Sequence, residues 1–138
     1  MKEKLKTLQI IHLAITIGVA FAYFFILGKE TFTTFKTPTI DSNSIIYVLI
    51  PVIAILLSNF MFKNMISKID SNVSIENKIA IYQTSSIIRW AVLEGAAIIL
   101  LFLKPDFFIF GIIIIVYLLT IRPTEDKVNN DLNLTSKH

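Results

Sequence analysis

Four long apolar segments separated by short polar stretches dominate this chain of 138 residues. They run from about Leu8 to Leu27, Ile45 to Phe62, Thr84 to Leu103 and Phe107 to Ile121. Lipid offers no hydrogen-bond partner to the backbone, so such segments cross a membrane as helices or in a closed barrel, and no alternation of polar and apolar residues supports a barrel. A helix needs about 17 to 25 residues to cross the hydrocarbon, and the fourth segment is the shortest. The pattern predicts one all-α membrane domain over residues 1–138. We expect an antiparallel bundle of four transmembrane helices with a polar cytoplasmic tail over 124–138.

The composition narrows the class of protein. Apolar residues make up 54% of the chain, and its mean hydropathy is +0.70, well above the usual share for a soluble domain. The absence of Cys excludes disulfides, thiolate nucleophiles and iron–sulfur clusters. No Gly-rich phosphate loop, Ser/His/Asp set or acidic pair at catalytic spacing is present. We therefore expect neither an enzyme nor a nucleic-acid-binding protein.

The distribution of positive charge predicts the topology. Nine of the thirteen basic residues lie at the N-terminus, between the second and third segments, or in the tail: Lys2, Lys4, Lys6, Lys63, Lys68, Lys78, Arg122, Lys127 and Lys137. Cytoplasmic loops retain positive charge, so both termini are expected in the cytoplasm. The apolar segments themselves are expected to contact the lipid bilayer. A chain rich in Ile, Lys and Asn indicates the bacterial inner membrane. A signal peptide is the alternative for the N-terminus, but the apolar run continues past Ala20-Phe21-Ala22 to Leu27, as in a retained span.

An internal similarity relates the first and third segments. A displacement of 77 residues places Ala14 on Ala91 and Gly18 on Gly95, which predicts two repeated helix hairpins. Small residues let transmembrane helices approach closely. With Ala22, these four residues are therefore expected to form a helix-packing face. That face would lie either at the centre of the bundle or in a dimer seam.

Glu94 is the residue most suggestive of chemistry. It lies ten residues before the Lys104-Pro105-Asp106 turn, close to the middle of the membrane. A carboxylate there costs several kcal/mol unless it is protonated or paired. In one interpretation Glu94 binds a proton or a cation; in the other it is a protonated side chain that joins helices through a hydrogen bond. Arg89 is about 140° away around the same helix, so a bridge between the two would need another helix or subunit.

A second group of polar residues lies nearer the cytoplasmic side. The residues expected to share one polar layer are His12, Asn59, Arg89 and Tyr117, with Ser58 beside them. The aromatic residues expected to anchor the interface are Tyr82, Trp90 and Tyr117. The only other histidine is His138 at the end of the tail, so neither haem nor a metal site is expected, and no cofactor is implied.

Parts of the third and fourth segments resemble the sequences of known membrane proteins. The stretch from Ile88 to Ala97, IRWAVLEGAA, with Arg122-Pro123 after the fourth segment, resembles small uncharacterised bacterial four-helix integral membrane proteins. The resemblance implies the fold and no activity. A membrane Glu followed by small residues is also similar to the ion-binding helix of rotary ATPase proteolipid subunits. Here the first segment lacks their dense Gly repeat, and the repeat-related Ile17 is not acidic.

Two functions follow as hypotheses. The first is a non-enzymatic accessory or assembly subunit of a membrane complex or homo-oligomer, because the chain is small and has small-residue faces suited to helix contacts. The alternative is a protein that translocates protons or cations through Glu94, with support from His12, Asn59, Arg89 and Tyr117.

Overall fold

A computed structural model describes residues 2–34 and 36–134. These residues form six α-helices and no strand, which confirms the all-helical prediction for this part of the chain. The helices are α1 (Lys2–Leu27), α2 (Lys29–Thr33), α3 (Ile45–Ser67), α4 (Ile75–Leu103), α5 (Phe108–Thr120) and α6 (Glu125–Leu132), with a 3-10 turn over Pro105–Phe107 before α5. Lys137 and His138, both in the predicted tail, lie outside the described residues.

Three helices, α1, α3 and α4, are each long and apolar enough to cross a membrane. The predicted fourth span is not confirmed as an independent one. α5 has 13 residues and is about 20 Å long, whereas the hydrocarbon is about 30 Å thick. The segment meets the length requirement only together with α6, which is bent by 82° from it. The chain therefore has three candidate spans, or four if this bent pair counts as one.

α4 lies at the centre of the arrangement and packs against α1, α3 and α5. α1 and α4 run parallel: the Gln83 side-chain amide donates to the Lys4 carbonyl near one end, and the Tyr23 hydroxyl donates to the Ala97 carbonyl near the other. α1 and α3 each pack against α4 and α5 but have few contacts with each other. Two equivalent hairpins are thus not confirmed, because α4 and α5 pack as a hairpin whereas α1 and α3 are separated.

The two ends of the bundle differ in charge and structure. At one end, which we call the basic end, the side chain of Gln9 donates to the Pro123 carbonyl at 2.9 Å, and the Tyr82 hydroxyl donates to Asp131 at 3.0 Å. These bonds bring the start of α1, the start of α4 and α6 together, and with them most of the basic residues counted above. The opposite end, the loop end, contains residues 28–44 and the turn before α5.

Two aromatic residues expected at the membrane interface lie in the core instead. Trp90 is 1% exposed, and its ring meets the edge of the His12 ring with the centroids 4.8 Å apart. Tyr82 is 4% exposed and packs against the Phe62 ring at 5.5 Å. The prediction of interfacial anchors was wrong for both, because each ring fills space between helices and each is buried by a second aromatic ring.

The connection between α1 and α3 contains the short helix α2. Gly28 adopts φ +77°, a left-handed conformation that lets the chain reverse between α1 and α2. Before α3, the Asp41 carboxylate accepts hydrogen bonds from the backbone amides of Asn43 and Ser44, both at 2.9 Å. The Ser44 amide and side chain, then the Asn43 amide and the charge of Lys104, hold the pKa of Asp41 below its ordinary value. Asp41 thus organises the backbone at the start of α3.

Candidate intramembrane site

A half-buried polar cluster joins three helices of the bundle. The Arg89 guanidinium on α4 donates to the Asn59 side-chain oxygen on α3 at 2.5 Å and to the Tyr117 hydroxyl on α5 at 3.3 Å. The Asn59 amide donates to the same hydroxyl at 2.6 Å. Three of the residues predicted to share a polar layer are therefore in mutual contact. We call them the Arg89 cluster.

The Arg89 guanidinium is surrounded by groups of the same chain. Its guanidinium carbon lies 4.8 Å from the centre of the Phe62 ring, a cation–π distance. Its Nε is buried and has no hydrogen-bond partner, and no carboxylate in 2–34 or 36–134 forms an ion pair with the guanidinium. Amide, hydroxyl and aromatic groups of the same chain thus hold this charge. Arg89 is not free to reach a ligand.

His12 lies outside the Arg89 cluster. Its Nε2 is 2.7 Å from the carbonyl oxygen of Leu118 on α5, and its ring rests against Trp90. The side chain is 2% exposed. Ser58, which was expected beside this layer, bonds back to the Ile55 carbonyl of its own helix at 3.0 Å. His12 therefore links α1 to α5, and the predicted layer divides into two separate contacts.

Glu94 differs from the other polar residues in the spans. It lies nine residues before the end of α4, about 14 Å along the axis, and so close to mid-membrane depth. It is half-buried. Within the part of the chain that the structure describes, it makes no hydrogen bond and no ion pair. The oxygen atoms of its carboxyl group are not fully buried, so the group reaches the surface of the bundle.

The position of Glu94 on the helix places it beside α1. Residues four apart lie on one face of a helix, and Trp90, one turn earlier, contacts His12 of α1. Ala91 and Ile98 continue around α4 from this face towards the outside. Glu94 therefore lies at the edge of the α1–α4 contact.

The small residues that were expected to bring α1 and α4 together lie at the surface instead. Ala14, Gly18 and Ala91 are exposed, while Ala22 and Gly95 are half-buried. A Cβ atom built on Gly18 or Gly95 would meet nothing within 4 Å. The expectation that these residues form the centre of the bundle was wrong, because larger side chains such as Trp90 fill the α1–α4 contact. These five residues form what we call the small-residue face, and a seam with another chain stays a prediction for it.

Sequence reasoning missed a close contact between α1, α4 and α5. The Tyr23 hydroxyl donates to the Ala97 carbonyl at 2.5 Å and lies directly against Gly111 of α5. A Cβ on Gly111 would overlap the Tyr23 hydroxyl and ring. A glycine inside the apolar run FIFGIIIIVY is a signal for such a close approach, because glycine has no side chain to keep a neighbouring residue away from the backbone.

Two cavities open near the loop end. One of about 950 Å³ lies between residues 30–44 and the turn before α5, with Glu30, Asp41, Lys104 and Asp106 in its walls. The other is an apolar groove of about 390 Å³ between α1 and α5. Neither includes Glu94 or a member of the Arg89 cluster.

The described helices define the class: an all-helical protein with three to four helices apolar enough to cross a membrane, consistent with a membrane protein. In residues 2–34 and 36–134, no group of three or more His, Cys, Asp or Glu side chains could hold a metal ion. No protein-family model matches the chain, and no curated protein and no solved structure matches it either.

Proposed function

We propose that the protein is a non-enzymatic accessory or assembly subunit of a bacterial inner-membrane complex, and that its partner docks a transmembrane helix on the small-residue face beside Glu94. The observation that carries this proposal is the Glu94 carboxyl group, which reaches the surface at mid-membrane depth without a partner among the described residues. The basic end would face the cytoplasm, because nine basic residues belong to its segments or to the tail.

The energetic argument starts from the cost of the carboxyl group in lipid. A charged side chain at the centre of a helix in the membrane costs about 2.5 to 3.5 kcal/mol, even on the lower of the available scales. A neutral carboxyl group in hydrocarbon still lacks hydrogen-bond partners. A partner helix that donates a hydrogen bond would remove much of this cost. Interhelical bonds of this kind contribute about 0.6 to 2 kcal/mol each.

Steric access supports the same face. Because Gly18 and Gly95 have open space where a Cβ would lie, a helix backbone can approach α1 and α4 closely there. The face combines this access with an unsatisfied acceptor one residue from Gly95. Lipid chains could fill the space but could not bind the carboxyl group.

The chemistry of the partner can also be inferred. The side chains of Asn59, Arg89 and Tyr117, which lie nearer the basic end than Glu94, bind one another and make no hydrogen bond to its carboxyl group. A symmetric pair of identical chains would place one Glu94 near another. The helix that docks is therefore expected to come from a different protein and to carry a Lys, Arg, Asn or Gln side chain near mid-membrane. A homo-oligomer is the other arrangement to be tested.

The first experiment is to tag the chain after His138, extract it from its native host in mild detergent, and determine the mass and composition of the complex. A photo-crosslinking amino acid at Ala91 would identify the neighbour of the small-residue face. The matched control is the same group at Val116, which is exposed on α5. We expect a protein adduct from position 91 and none from position 116. A chain that emerges alone, with no protein adduct from position 91, would contradict the proposal.

A pair of variants separates docking from folding. Gly95→Leu should abolish co-purification of the partner while leaving the melting midpoint of the isolated chain unchanged, since a Cβ at this position meets nothing within 4 Å. Val116→Leu, a conservative change on an exposed part of α5, should retain the partner. If Gly95→Leu retained the partner in the parent ratio, this face would not be the docking site.

Proton or cation translocation is the second candidate function. The same unpartnered carboxyl group favours it, because a group that binds and releases ions cannot be locked in an internal bond. Neither of the two cavities described above includes Glu94, so this hypothesis places the ion path at the contact with another chain. Glu94→Gln keeps the size of the side chain and removes titration. Lost proton flux in liposomes, with an intact fold and complex, would favour translocation, whereas unchanged flux would exclude it.

A further inference from the structure

The apolar groove between α1 and α5 has the composition of a site for an amphipathic ligand. Its walls are Ala20, Tyr23 and Phe24 of α1 with Ile112 and Ile115 of α5, and they are almost entirely apolar. Lys29, Phe32 and Thr33 of α2 line its loop end. The groove thus changes from apolar to polar towards the loop end of the bundle, where a membrane would meet water.

The position of α2 at the top of the groove is fixed by contacts within the chain. Gly28 turns the backbone out of α1, and the Thr31 hydroxyl donates to the Leu27 carbonyl at 2.5 Å. The ring of Phe32 meets the edge of the Phe108 ring, with the centroids 5.5 Å apart. These contacts hold α2 across the end of the groove. Lys29 is therefore presented at the level of the lipid headgroups.

Among the described residues that line this groove, Lys29 alone is charged. It forms no hydrogen bond or ion pair with any described residue. Its neighbour Glu30 lines the other cavity, and adjacent helical residues do not face each other. The groove therefore offers a long apolar wall with a single free positive charge at one end.

We propose that this groove binds an anionic phospholipid, with one acyl chain along Ala20, Phe24 and Ile115 and the headgroup phosphate beside Lys29. The charge complementarity of Lys29 and the apolar wall together select this occupant. A soluble anion would not contact the apolar wall, and a zwitterionic lipid has the same phosphate but no net negative charge, so it would gain less from the Lys29 amine. This site is separate from the small-residue face, and neither proposal depends on the other.

The test measures lipid retention by the purified full-length chain in mild detergent. Native mass spectrometry would count adducts with phosphatidylglycerol and with phosphatidylcholine of the same acyl chains. We expect preferential retention of phosphatidylglycerol. One basic residue at an anionic membrane surface contributes an attraction that corresponds to about a fivefold change in affinity. Lys29→Gln should therefore reduce the ratio of phosphatidylglycerol to phosphatidylcholine adducts about fivefold.

Matched controls locate the site. Lys36→Gln removes a charge from the same connection but outside the groove, and the parent ratio should persist. Ala20→Phe fills the exposed wall and should lower retention of both lipids. Equal retention of the two lipids by the parent, or an unchanged ratio in Lys29→Gln, would overturn the proposal. Displacement by soluble glycerol phosphate as effective as that by phosphatidylglycerol would show a simple anion site and would overturn it as well.

Discussion

Gly111 gives the sharpest structural prediction, because its missing side chain makes room for Tyr23. The substitution Gly111→Ala places a methyl group where the Tyr23 hydroxyl and ring now lie. The tyrosine is 1% exposed, so it cannot move aside without displacing its neighbours. Its hydroxyl would also lose the Ala97 carbonyl as an acceptor. We therefore expect Gly111→Ala to destabilise the contact of α5 with α1 and α4.

The magnitude follows from two costs and one gain. Overpacking a well-filled core costs about 1 to 3 kcal/mol. The lost hydrogen bond adds about 0.5 to 1.5 kcal/mol. Ala is favoured over Gly in a helix by up to about 1 kcal/mol, which offsets part of the loss. The net expectation is a destabilisation of about 1 to 3 kcal/mol.

The assay is reversible unfolding of the isolated chain in mixed micelles, followed by circular dichroism. Gly95→Ala is the matched control, since its Cβ enters open space, and we expect it to be neutral or slightly stabilising. Tyr23→Leu removes the ring that Gly111→Ala would strike. The double variant should therefore lose less stability than the sum of the two single changes. Equal stability of Gly111→Ala and Gly95→Ala would refute the reasoning.

Three further predictions concern other contacts. Asn59→Leu removes one of the two acceptors of the Arg89 guanidinium and should destabilise the bundle by about 1.5 to 3 kcal/mol; a second change, Arg89→Met, should recover part of that loss in a micelle unfolding cycle. The lowered pKa of Asp41 means that its contribution to stability is present above its unfolded-state pKa and is lost as the pH falls through the folded-state value. The melting midpoint should therefore fall in acid, and Asp41→Asn should reduce that fall. Tyr82→Phe removes the bond to Asp131, so amide hydrogen exchange in α6 should become faster while exchange in α3 stays unchanged.

The secondary structure was largely predictable from hydrophobicity. The first three segments coincide with α1, α3 and α4, because long apolar runs must satisfy their backbone internally. The observed helices extend further at the basic end, where polar residues continue the helical spacing. The fourth segment also agrees with α5 to within one residue at each end. It was not predictable that this segment would fall short of an independent span, because the 3-10 turn and the sharp bend before α6 depend on local backbone geometry that hydropathy does not record.

The packing could be predicted less well than the helices. The depth of Asn59, Arg89 and Tyr117 was readable from their positions, and the structure brings them together. The sequence did not show which side of each helix faces its neighbours. For this reason Trp90 and Tyr82 were predicted at the membrane interface instead of in the core. In a membrane, hydrophobicity does not distinguish a residue that faces lipid from one that faces a neighbouring helix. The small-residue face was assigned to the wrong side of α1 and α4 for this reason.

The contrast between Arg89 and Glu94 is the strongest argument for where this protein meets another molecule. The chain uses three helices to satisfy the guanidinium, although one buried Nε stays unpaired, and it bonds His12 and Tyr23 to backbone carbonyls. These groups therefore stabilise the single chain. Glu94 has the same need for a partner and has none within the described residues. A chain that bonds Arg89, His12 and Tyr23 internally and leaves one carboxyl group without a partner beside an open small-residue face supports a contact completed by a second molecule.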